Sequence, residues 1–290
     1  MDSARWLGFP FRDGDIVIST RSKTGTTWVQ MICALLIFGV PELPAPLAQL
    51  SPWLDQRIVS REQVYAHLAA QQHRRFIKTH TPLDGVPLDP RATYIVTGRH
   101  PLDMAVSLYR QSDNIDHARV RQQAGQHEPS EPRGAAPARL ALHQWLPSWI
   151  AGDQDPREYL DSLPGVMWHL TDAWTRREEP NVLLVHYDDL LAGLEGQMRW
   201  LASRLRIDVT EQAWPALVQA ATFESMRRAA DKLVPAAALF KSNIAFFRRG
   251  TSGAGCEILS EDQLAAYYAR AAQLAPPGML AWLHSSGQAR

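Results

Sequence analysis

The chain has little lysine and no net charge, and both features narrow what it can be. Its 290 residues contain 30 Lys and Arg against 30 Asp and Glu, so the formal net charge is zero. A neutral chain has no overall attraction to nucleic acid or to an anionic membrane, so any anion site must be built locally. Only four of the 30 basic residues are lysine. This scarcity slightly favours a specific use for each lysine as a compact point charge.

Cysteine and long apolar runs are also scarce. Two cysteines, Cys33 and Cys256, make no disulfide framework, which favours a reducing cytoplasm. The first 15 residues carry no apolar core of signal-peptide length. The longest apolar run, Met31–Val40, has ten residues, whereas a membrane helix needs roughly 20. The sequence therefore predicts a soluble, cytoplasmic protein with no integral membrane segment.

Four short runs rich in Ile, Val and Leu predict strands, and they are Asp15–Thr20, Arg75–Thr79, Thr93–Thr97 and Val182–Tyr187. Nearly continuous apolar runs are typical of strands buried on both faces, and therefore of a parallel sheet. Apolar residues at helical spacing follow the first and third runs and recur across Glu195–Leu205. We predict one α/β domain over residues 1–290, with a central parallel sheet flanked by helices on both faces.

Two segments break the alternation of strands and helices. Asp113–Arg139 holds three prolines and two glycines, and it is long for an ordinary connection. Ala229–Phe240 is the second such segment. We interpret both as candidate lid loops that shape the entrance to a binding site.

The loop after the first predicted strand can bind an anion. It runs from Arg21 to Trp28 as Arg-Ser-Lys-Thr-Gly-Thr-Thr-Trp and leads into a helix. N–H groups at a tight turn and a helix start converge on one point, where the helix dipole favours negative charge. Thr26 and Thr27 can cap the helix, and Lys23 adds a mobile cation. The loop lacks the Walker A pattern because the lysine precedes the glycine. Taken alone, it is equally well read as an ordinary capped helix start.

Three further positions carry groups suited to anions or to proton transfer. Arg99 stands at the end of the third predicted strand, and Ser107 lies about two turns into the following helix, so the two can meet across a phosphate. Lys78 and His80 are two apart at the end of the second predicted strand and share a face. Taken alone, an arginine at a strand end more often forms a surface ion pair, and a lone histidine there is more often structural.

Together these segments resemble the cytosolic type of sulfotransferases that use 3′-phosphoadenosine 5′-phosphosulfate (PAPS). Residues 23–28 resemble the family's Lys-Ser-Gly-Thr-Thr-Trp loop, which holds the 5′-phosphosulfate and packs its Trp on adenine. Arg99 and Ser107 keep the eight-residue spacing of the family's 3′-phosphate motif. Lys78 and His80 match its Lys-Thr-His segment, in which the histidine is the general base. Arg21 and Ser22 depart from the commonest family spelling, as does Thr24.

Three later segments complete the resemblance. Val185–Leu190 resembles the family's Tyr-Glu-Asp-Leu turn, and Thr222–Met226 resembles the segment whose Phe stacks on adenine. Phe247–Gly253 resembles the Arg-Lys-Gly-x-x-Gly loop of the 3′-phosphate site, with Arg249 in place of Lys. The family often continues this loop as Asp-Trp-Lys, where the present sequence has Ala254, Gly255 and Cys256. Apart from the resemblance, the aromatic residues fit plain core packing equally well, and the arginine pair fits a solvated surface.

The resemblance implies three catalytic residues, His80, Lys23 and Lys78. It also implies a nucleotide site formed by Lys23, Thr24, Gly25, Thr26, Thr27, Trp28, Arg99, Ser107, Tyr187, Thr222, Phe223, Arg248, Arg249 and Gly250. In the implied reaction a hydroxyl of a small-molecule, glycolipid or other lipid-like acceptor attacks the sulfur of PAPS in line. His80 takes the proton, the lysines neutralise the growing charge, no metal is needed, and 3′-phosphoadenosine 5′-phosphate (PAP) is the product.

Two alternatives remain at this point. A magnesium-dependent P-loop kinase would share the strand, loop and helix, but it would need a Lys-Ser/Thr pair after the second glycine. An inactive nucleotide- or lipid-binding relative would have lost Lys23, Lys78 or His80, and all three are present.

The acceptor and the oligomeric state are less constrained. Six aromatic residues predict an aromatic or lipid-accommodating pocket, although their helical spacing is more often that of a core, and they are Trp145, Trp149, Trp168, Trp174, Phe9 and Phe11. The family's C-terminal dimer motif is not recognisable in Gly250–Tyr268. A homodimer would therefore use another surface.

Overall fold

A computed structural model describes residues 1–116, 118–119, 139–234 and 239–285. At its centre lies a four-stranded parallel sheet in the order β2-β1-β3-β4. The strands are β1 Ile16–Thr20, β2 Phe76–Thr79, β3 Thr93–Gly98 and β4 Val182–His186. All four predicted strands are therefore present, and their apolar character follows from burial on both faces.

The strand register brings the carboxyl ends of all four strands to one edge of the sheet. Ser19 of β1 pairs with Thr79 of β2, Thr20 pairs with Thr97 of β3, and Gly98 pairs with His186 of β4. The chain leaves β1 toward β2 on one side and returns to β3 on the other. This reversal opens a crevice beyond the strand ends, where doubly wound folds bind their ligands.

Helices surround the sheet and connect its strands. Their bounds are α1 Thr26–Phe38, α2 Leu47–Leu50, α3 Arg61–Ala70, α4 Pro101–Asn114, α5 Leu142–Ala151, α6 Leu163–Thr175, α7 Tyr187–Ala192, α8 Leu194–Leu205, α9 Trp214–Ala220, α10 Phe223–Arg228, α11 Ala230–Leu233, α12 Asn243–Phe246, α13 Glu261–Leu274 and α14 Pro277–Leu283. Short 3₁₀ turns occupy Ser3–Trp6, Leu83–Gly85 and Cys256–Ile258. No helix in the described ranges is long and apolar enough to cross a membrane.

Each face of the sheet has its own hydrophobic core, because side chains alternate along a strand. Val17 and Ile77 point to the face covered by α4, α5, α6 and α13. Ile16, Ile18 and Phe76 point to the opposite face, which α1, α8 and α9 cover. The predicted parallel sheet with helices on both faces is confirmed. The two cores leave the carboxyl edge of the sheet free for the loops that follow each strand.

Much of the first candidate lid, Asp113–Arg139, lies outside the described residues, which omit 117 and 120–138. Its two ends are tied together. Arg139 forms an ion pair with Asp113 and donates to the carbonyl of Tyr109. The Tyr109 hydroxyl donates to the carbonyl of Leu140 at 2.6 Å. The segment therefore leaves α4 and returns to α5 at one point of the surface.

The second candidate lid, Ala229–Phe240, is described except for 235–238. Part of it is the short helix α11, whose residues Ala230 and Leu233 are buried. Its end pairs with the end of α4, where the Asp116 N–H donates to the Leu239 carbonyl at 2.8 Å. This pairing fixes Leu239 and Phe240 beside the carboxyl edge of the sheet.

Candidate active site

A cavity of about 710 Å³ opens at the carboxyl edge of the sheet. Its volume lies within the range of about 300–1,000 Å³ that is usual for small-molecule sites. Most residues of the predicted site line it, and these are Lys23, Gly25, Thr26, Thr27, Trp28, Lys78, His80, Arg99, Ser107, Tyr187, Phe223, Arg248, Arg249 and Gly250. Motifs more than 200 residues apart in the sequence therefore meet around one space.

Two residues of the predicted site turn away from the cavity. The Thr24 side chain is buried, with its hydroxyl 2.8 Å from both the Arg21 carbonyl and the Thr97 hydroxyl. Thr222 caps α10, since its hydroxyl accepts from the Ser225 N–H at 3.3 Å. Both threonines hold their loops in shape, and neither lines the cavity.

The loop after β1 is held in an unusual backbone conformation. Lys23 has φ 66° and Gly25 has φ 109°, and such positive values favour glycine. A Cβ at Gly25 would lie 3.1 Å from the Tyr187 ring, so the loop also packs closely against that ring. The predicted cap by Thr26 or Thr27 is wrong. The N-cap is Gly25, without a side-chain bond, and the Thr26 hydroxyl instead lies 2.6 Å from that of Thr20.

Lys23 extends into a strongly cationic part of the cavity. Its Nζ donates to Gln111 Oε1 at 2.5 Å and lies 4.2 Å from the centre of the Phe246 ring. The pKa of Lys23 is lowered to about 7, primarily by burial. The neighbouring charges of Arg99, Arg248 and Lys78 lower it as well. Several cations gathered around one buried lysine form a site prepared for an anion.

Arg99 lies between the loop after β1 and the C-terminal loop. It donates to the Lys23 carbonyl at 3.0 Å and to the Thr251 carbonyl at 3.2 Å. Its guanidinium stacks 4.1 Å from the centre of the Tyr187 ring. The Arg99 Nε is buried and has no hydrogen-bond partner within the described part of the chain. A buried donor without a partner is costly, so this group can donate to an anion.

The C-terminal loop brings Arg248, Arg249 and Gly250 to the cavity wall. Gly250 has φ +64°, and a Cβ there would lie only 2.4 Å from the Phe223 ring, so glycine is required. The Asp103 carboxylate anchors the next residues, because it accepts from the N–H groups of Gly253 and Gly255 at 2.8 Å each. Asp103 therefore holds in place the segment after Gly253, where the sequence departs from the family spelling.

Aromatic rings form one wall of the cavity. The Trp28 indole N–H donates to the Ala221 carbonyl at 2.9 Å, and the Trp28 ring meets Tyr187 edge to face at 5.3 Å. Phe223 also lines the cavity and packs on Phe247, with ring centres 6.2 Å apart. Flat apolar surfaces next to cations suit a planar heterocycle that carries phosphate groups.

His80 is buried at the end of β2, with 7% of its surface exposed. Its Nδ1 lies 2.5 Å from the Thr20 carbonyl. A carbonyl can only accept, so Nδ1 carries the hydrogen and the Nε2 of the neutral ring keeps a lone pair. The pKa of His80 is lowered well below 6.5, primarily by burial and further by the charges of Lys78 and Arg21. His80 is therefore a neutral imidazole whose Nε2 can accept a proton.

Lys78 precedes His80 by two residues and shares the same aromatic neighbour. Its Nζ lies 4.2 Å from the centre of the Trp53 ring, and the His80 ring meets Trp53 edge to face at 4.9 Å. The pKa of Lys78 is lowered to about 8 by burial, although the carboxylate of Asp55 opposes this shift. The ammonium and the imidazole are thus placed side by side at the cavity.

Asp55 is a fully buried carboxylate that the sequence analysis missed. It accepts hydrogen bonds from the Thr79 hydroxyl at 2.6 Å and from the Thr81 N–H at 3.1 Å, and the Trp53 indole donates to it as well. These bonds hold the residues on both sides of His80. No motif marks Asp55 in the sequence, since it belongs to an irregular loop well before β2.

The six aromatic residues predicted to line an acceptor pocket do not line the cavity. Phe9, Phe11 and Trp149 are buried in the core, and Trp145 and Trp174 pack against it. Trp168 lies under the guanidinium of Arg157. That prediction is therefore wrong, because helical spacing of large apolar residues reflects packing on the sheet. The apolar end of the cavity is lined instead by Met1, Ile58, Val59, Leu239 and Phe240. Trp53 and Phe246 lie against Lys78 and Lys23.

Within the described ranges, no group of three or more His, Cys, Asp or Glu side chains is arranged to hold a metal ion. The metal-free reaction remains a prediction that requires a chelator experiment.

The fold and the site define a class: doubly wound α/β proteins with a cavity lined by cations at the topological switch point. Within that class, residues 13–270 match the family described as the sulfotransferase domain. The chain is 42% identical to the glycolipid sulfotransferase of Mycobacterium tuberculosis over an alignment of 298 positions, which covers 98% of this chain and 91% of that protein. It is 26% identical to human sulfotransferase 2B1 over an alignment of 253 positions, which covers 83% of this chain and 60% of that protein.

Solved structures share the fold at much lower sequence identity. Mouse sulfotransferase SULT7A1, complexed with PAP, superposes with a TM-score of 0.71 at 17% identity, covering 99% of this chain and 94% of its own. Retinol dehydratase, in complex with androsterone and PAP, superposes with a TM-score of 0.69 at 18% identity, covering 96% and 87%. The chain belongs to the sulfotransferase family and is an enzyme that transfers sulfate.

Proposed function

We propose that this enzyme transfers the sulfuryl group of PAPS to a hydroxyl of a glycolipid or similar lipid-like acceptor, with His80 as general base. The observation that carries the proposal is the pairing of a neutral, buried His80 with a cluster of cations around one cavity. The relative at 42% identity is a glycolipid sulfotransferase, and this supports the acceptor class.

The residues around the cationic end fit a doubly phosphorylated nucleoside. Lys23 and the N–H groups at the start of α1 would hold the 5′-phosphosulfate. Arg99, with its unpartnered Nε, and Arg248 would hold the 3′-phosphate. Trp28 and Phe223 offer apolar faces for adenine. The lowered pKa of Lys23 supports this assignment, because bound anions would restore its full charge.

The donor supplies a sulfuryl group, whose bond to the phosphate breaks as the acceptor oxygen bonds to sulfur. His80 Nε2 accepts the proton of the acceptor hydroxyl, since Nδ1 is engaged with the Thr20 carbonyl. Negative charge bound beside Lys78 raises the pKa of His80, because it offsets a cation that lowers it. The base therefore becomes stronger when the site is loaded.

Lys23 and Lys78 stabilise charge at two places. Lys23 follows β1 and would neutralise the oxygen that leaves with the phosphate. Lys78 lies beside His80 on the Trp53 ring and would steady the oxygens of the transferred group. Fixed cations aimed at developing charge are usually the largest contribution to such a reaction.

The acceptor would enter from the apolar end of the cavity. Met1, Ile58 and Val59 line this end and are 42%, 58% and 38% exposed. Leu239 and Phe240 of the second candidate lid complete the wall. An apolar approach that leads to a base and two lysines matches an acceptor with a lipid part and a hydroxyl group.

The proposal is tested by incubating the enzyme with ³⁵S-labelled PAPS, an alkyl glycoside and excess EDTA. We expect label in the glycoside, and Lys23→Met should lower turnover about 10²- to 10³-fold. Arg204→Met is the control, because Arg204 is an exposed cation on α8 and lies outside the cavity. PAP binding without transfer to any hydroxyl would indicate an inactive relative. Phosphate transfer from ATP that EDTA abolishes would indicate a kinase.

A further inference from the structure

Asp161 is the single acidic side chain among the described residues that line the cavity. Its neighbours in the wall include five cations, which suit the anionic donor, whereas a carboxylate repels that donor. The Asp161 side chain is 33% exposed, so it faces the cavity without being free in solvent. Binding of the donor therefore does not explain why a carboxylate lies in the cavity wall.

The two residues that hold this carboxylate are two of the three at which the loop after β1 departs from the family spelling. Arg21 donates to Asp161 Oδ1 at 3.0 Å, and Ser22 donates to Oδ2 at 2.8 Å. Arg21 is fully buried, and its charge balances that of the carboxylate. Two of the residues that depart from the family spelling, Arg21 and Ser22, thus hold the acidic side chain in the cavity wall.

The backbone of Asp161 is fixed as well. The Trp149 indole N–H donates to the Asp161 carbonyl at 3.0 Å. The next residue, Ser162, caps α6 by accepting from the Gly165 N–H at 3.1 Å. A group held by side-chain bonds, a backbone bond and a helix cap binds a ligand with little loss of freedom.

Arg21 also connects Asp161 to the proposed base. One terminal nitrogen of its guanidinium donates to the His80 carbonyl, and the other donates to Asp161. The carboxylate of Asp161 and the backbone of His80 are therefore held by one guanidinium. Each carboxylate oxygen uses one lone pair for Arg21 or Ser22 and retains another, so Asp161 can accept further hydrogen bonds from the cavity.

We propose that Asp161 is a specificity-determining residue that binds a second hydroxyl of the acceptor, next to the hydroxyl that His80 deprotonates. This inference rests on the proposed function and deepens it. Sugars carry adjacent hydroxyls, and a carboxylate binds hydroxyls with strong hydrogen bonds. A site built to pair a hydroxyl discriminates strongly against a substrate that lacks it. The enzyme therefore prefers polyhydroxylated headgroups over acceptors with a single hydroxyl.

The test compares octyl β-glucoside with 1-octanol, which share an alkyl tail and differ in the number of hydroxyls. With ³⁵S-labelled PAPS, kcat/KM for the glucoside should exceed that for octanol in the wild-type enzyme. In Asp161→Ala it should fall about 10- to 100-fold for the glucoside, and by no more than about threefold for octanol. The ratio of the two values does not depend on how much of the variant is folded.

Asp161→Asn is the second variant, because it retains an oxygen for Ser22 while removing the charge. For this variant, the ratio of kcat/KM for the glucoside to kcat/KM for octanol should lie between the ratios of the wild type and Asp161→Ala. Its affinity for PAP should be unchanged. Asp153→Asn is the matched control, since Asp153 pairs with Arg270 outside the cavity. An equal loss for both acceptors, or equal wild-type values, would overturn the role of Asp161 and leave the proposed transfer intact. Transfer to neither acceptor contradicts both proposals.

Discussion

At the scale of single residues, a backbone hydrogen bond decides how His80 can react. The Thr20 carbonyl fixes the proton on Nδ1, and burial keeps the ring neutral. Replacing His80 with Ala should therefore lower kcat about 10²- to 10⁴-fold. PAP binding should change little, because the anions are held by Lys23 and Arg99. Turnover of labelled PAPS and isothermal titration with PAP measure the two effects.

The control for this prediction is His67→Ala, since His67 is an exposed histidine on α3 and does not line the cavity. Near-normal turnover in His80→Ala would show that another group takes the proton. A loss of PAP binding equal to the loss of turnover would instead indicate a structural role for His80.

The site residues that the sequence predicts belong to motifs, whereas those that it does not predict belong to irregular loops. Lys23 and His80 belong to motifs with fixed spacing, so their place at the strand ends was predictable. Asp55 and Asp161 belong to irregular loops and act through contacts far along the chain, 24 residues for Asp55 with Thr79 and 140 for Asp161 with Arg21. The Thr24 side chain points into the protein interior and away from the cavity. This direction depends on the backbone conformation of the loop, which residue type alone does not specify.

At the scale of elements, the four strands were predictable because burial on both faces leaves long apolar runs. The predicted ends differ from the observed ones by single residues. Asp15 precedes β1, and its N–H closes a turn on the Arg12 carbonyl at 3.1 Å. Tyr187 begins α7 after β4 ends. Helices of one turn, such as α2 and α12, have no recognisable period. They exist because tertiary contacts hold them.

The loop that follows Arg249 gives a prediction at this scale. Asp103 on α4 is buried and accepts hydrogen bonds from two backbone N–H groups of this loop, those of Gly253 and Gly255. Asp103→Ala removes both acceptors, so the loop that carries Arg248 loses its anchor. We expect PAP affinity to fall about tenfold, equivalent to the loss of roughly one hydrogen bond to a charged group. Isothermal titration measures it.

Asp262→Asn provides the comparison, because Asp262 is exposed in the first turn of α13 and does not line the cavity. Its PAP affinity should equal that of the wild type. If Asp103→Ala bound PAP with wild-type affinity, the anchor would be irrelevant to the nucleotide site.

At the scale of the whole molecule, the strand order explains why distant motifs meet. The order β2-β1-β3-β4 puts the loops after β1, β2 and β3 at one edge, so Lys23, His80 and Arg99 converge. This convergence was predictable from strand type and family order. The shape of the acceptor end was not, because it depends on loops such as that of Ile58. The cytoplasmic location and a homodimer through a surface other than Gly250–Tyr268 stay predictions.

Buried histidines make the stability of the whole molecule depend on pH. Burial lowers the pKa of His169 to about 3, with the charge of Arg21 as a smaller cause, and lowers that of His100 to about 4. The unfolded chain, with ordinary histidines near pKa 6.5, then binds more protons than the folded one. The contribution of these histidines to the free energy of unfolding should therefore be fully present above pH 6.5 and should be lost as the pH decreases from about 6.5 toward 4. Each histidine contributes at most about 1.4 kcal/mol per pH unit.

Urea unfolding of the unliganded enzyme between pH 7 and pH 5 measures this slope. His169→Gln should make it shallower by about one proton, because His169 is 1% exposed and its Nδ1 has no partner within the described residues. His143→Gln should leave the slope unchanged, since His143 is exposed on α5. The comparison uses slopes, so a general loss of packing in His169→Gln does not affect it. Equal slopes in all three proteins would mean that His169 binds its proton as readily in the folded enzyme as in the unfolded chain.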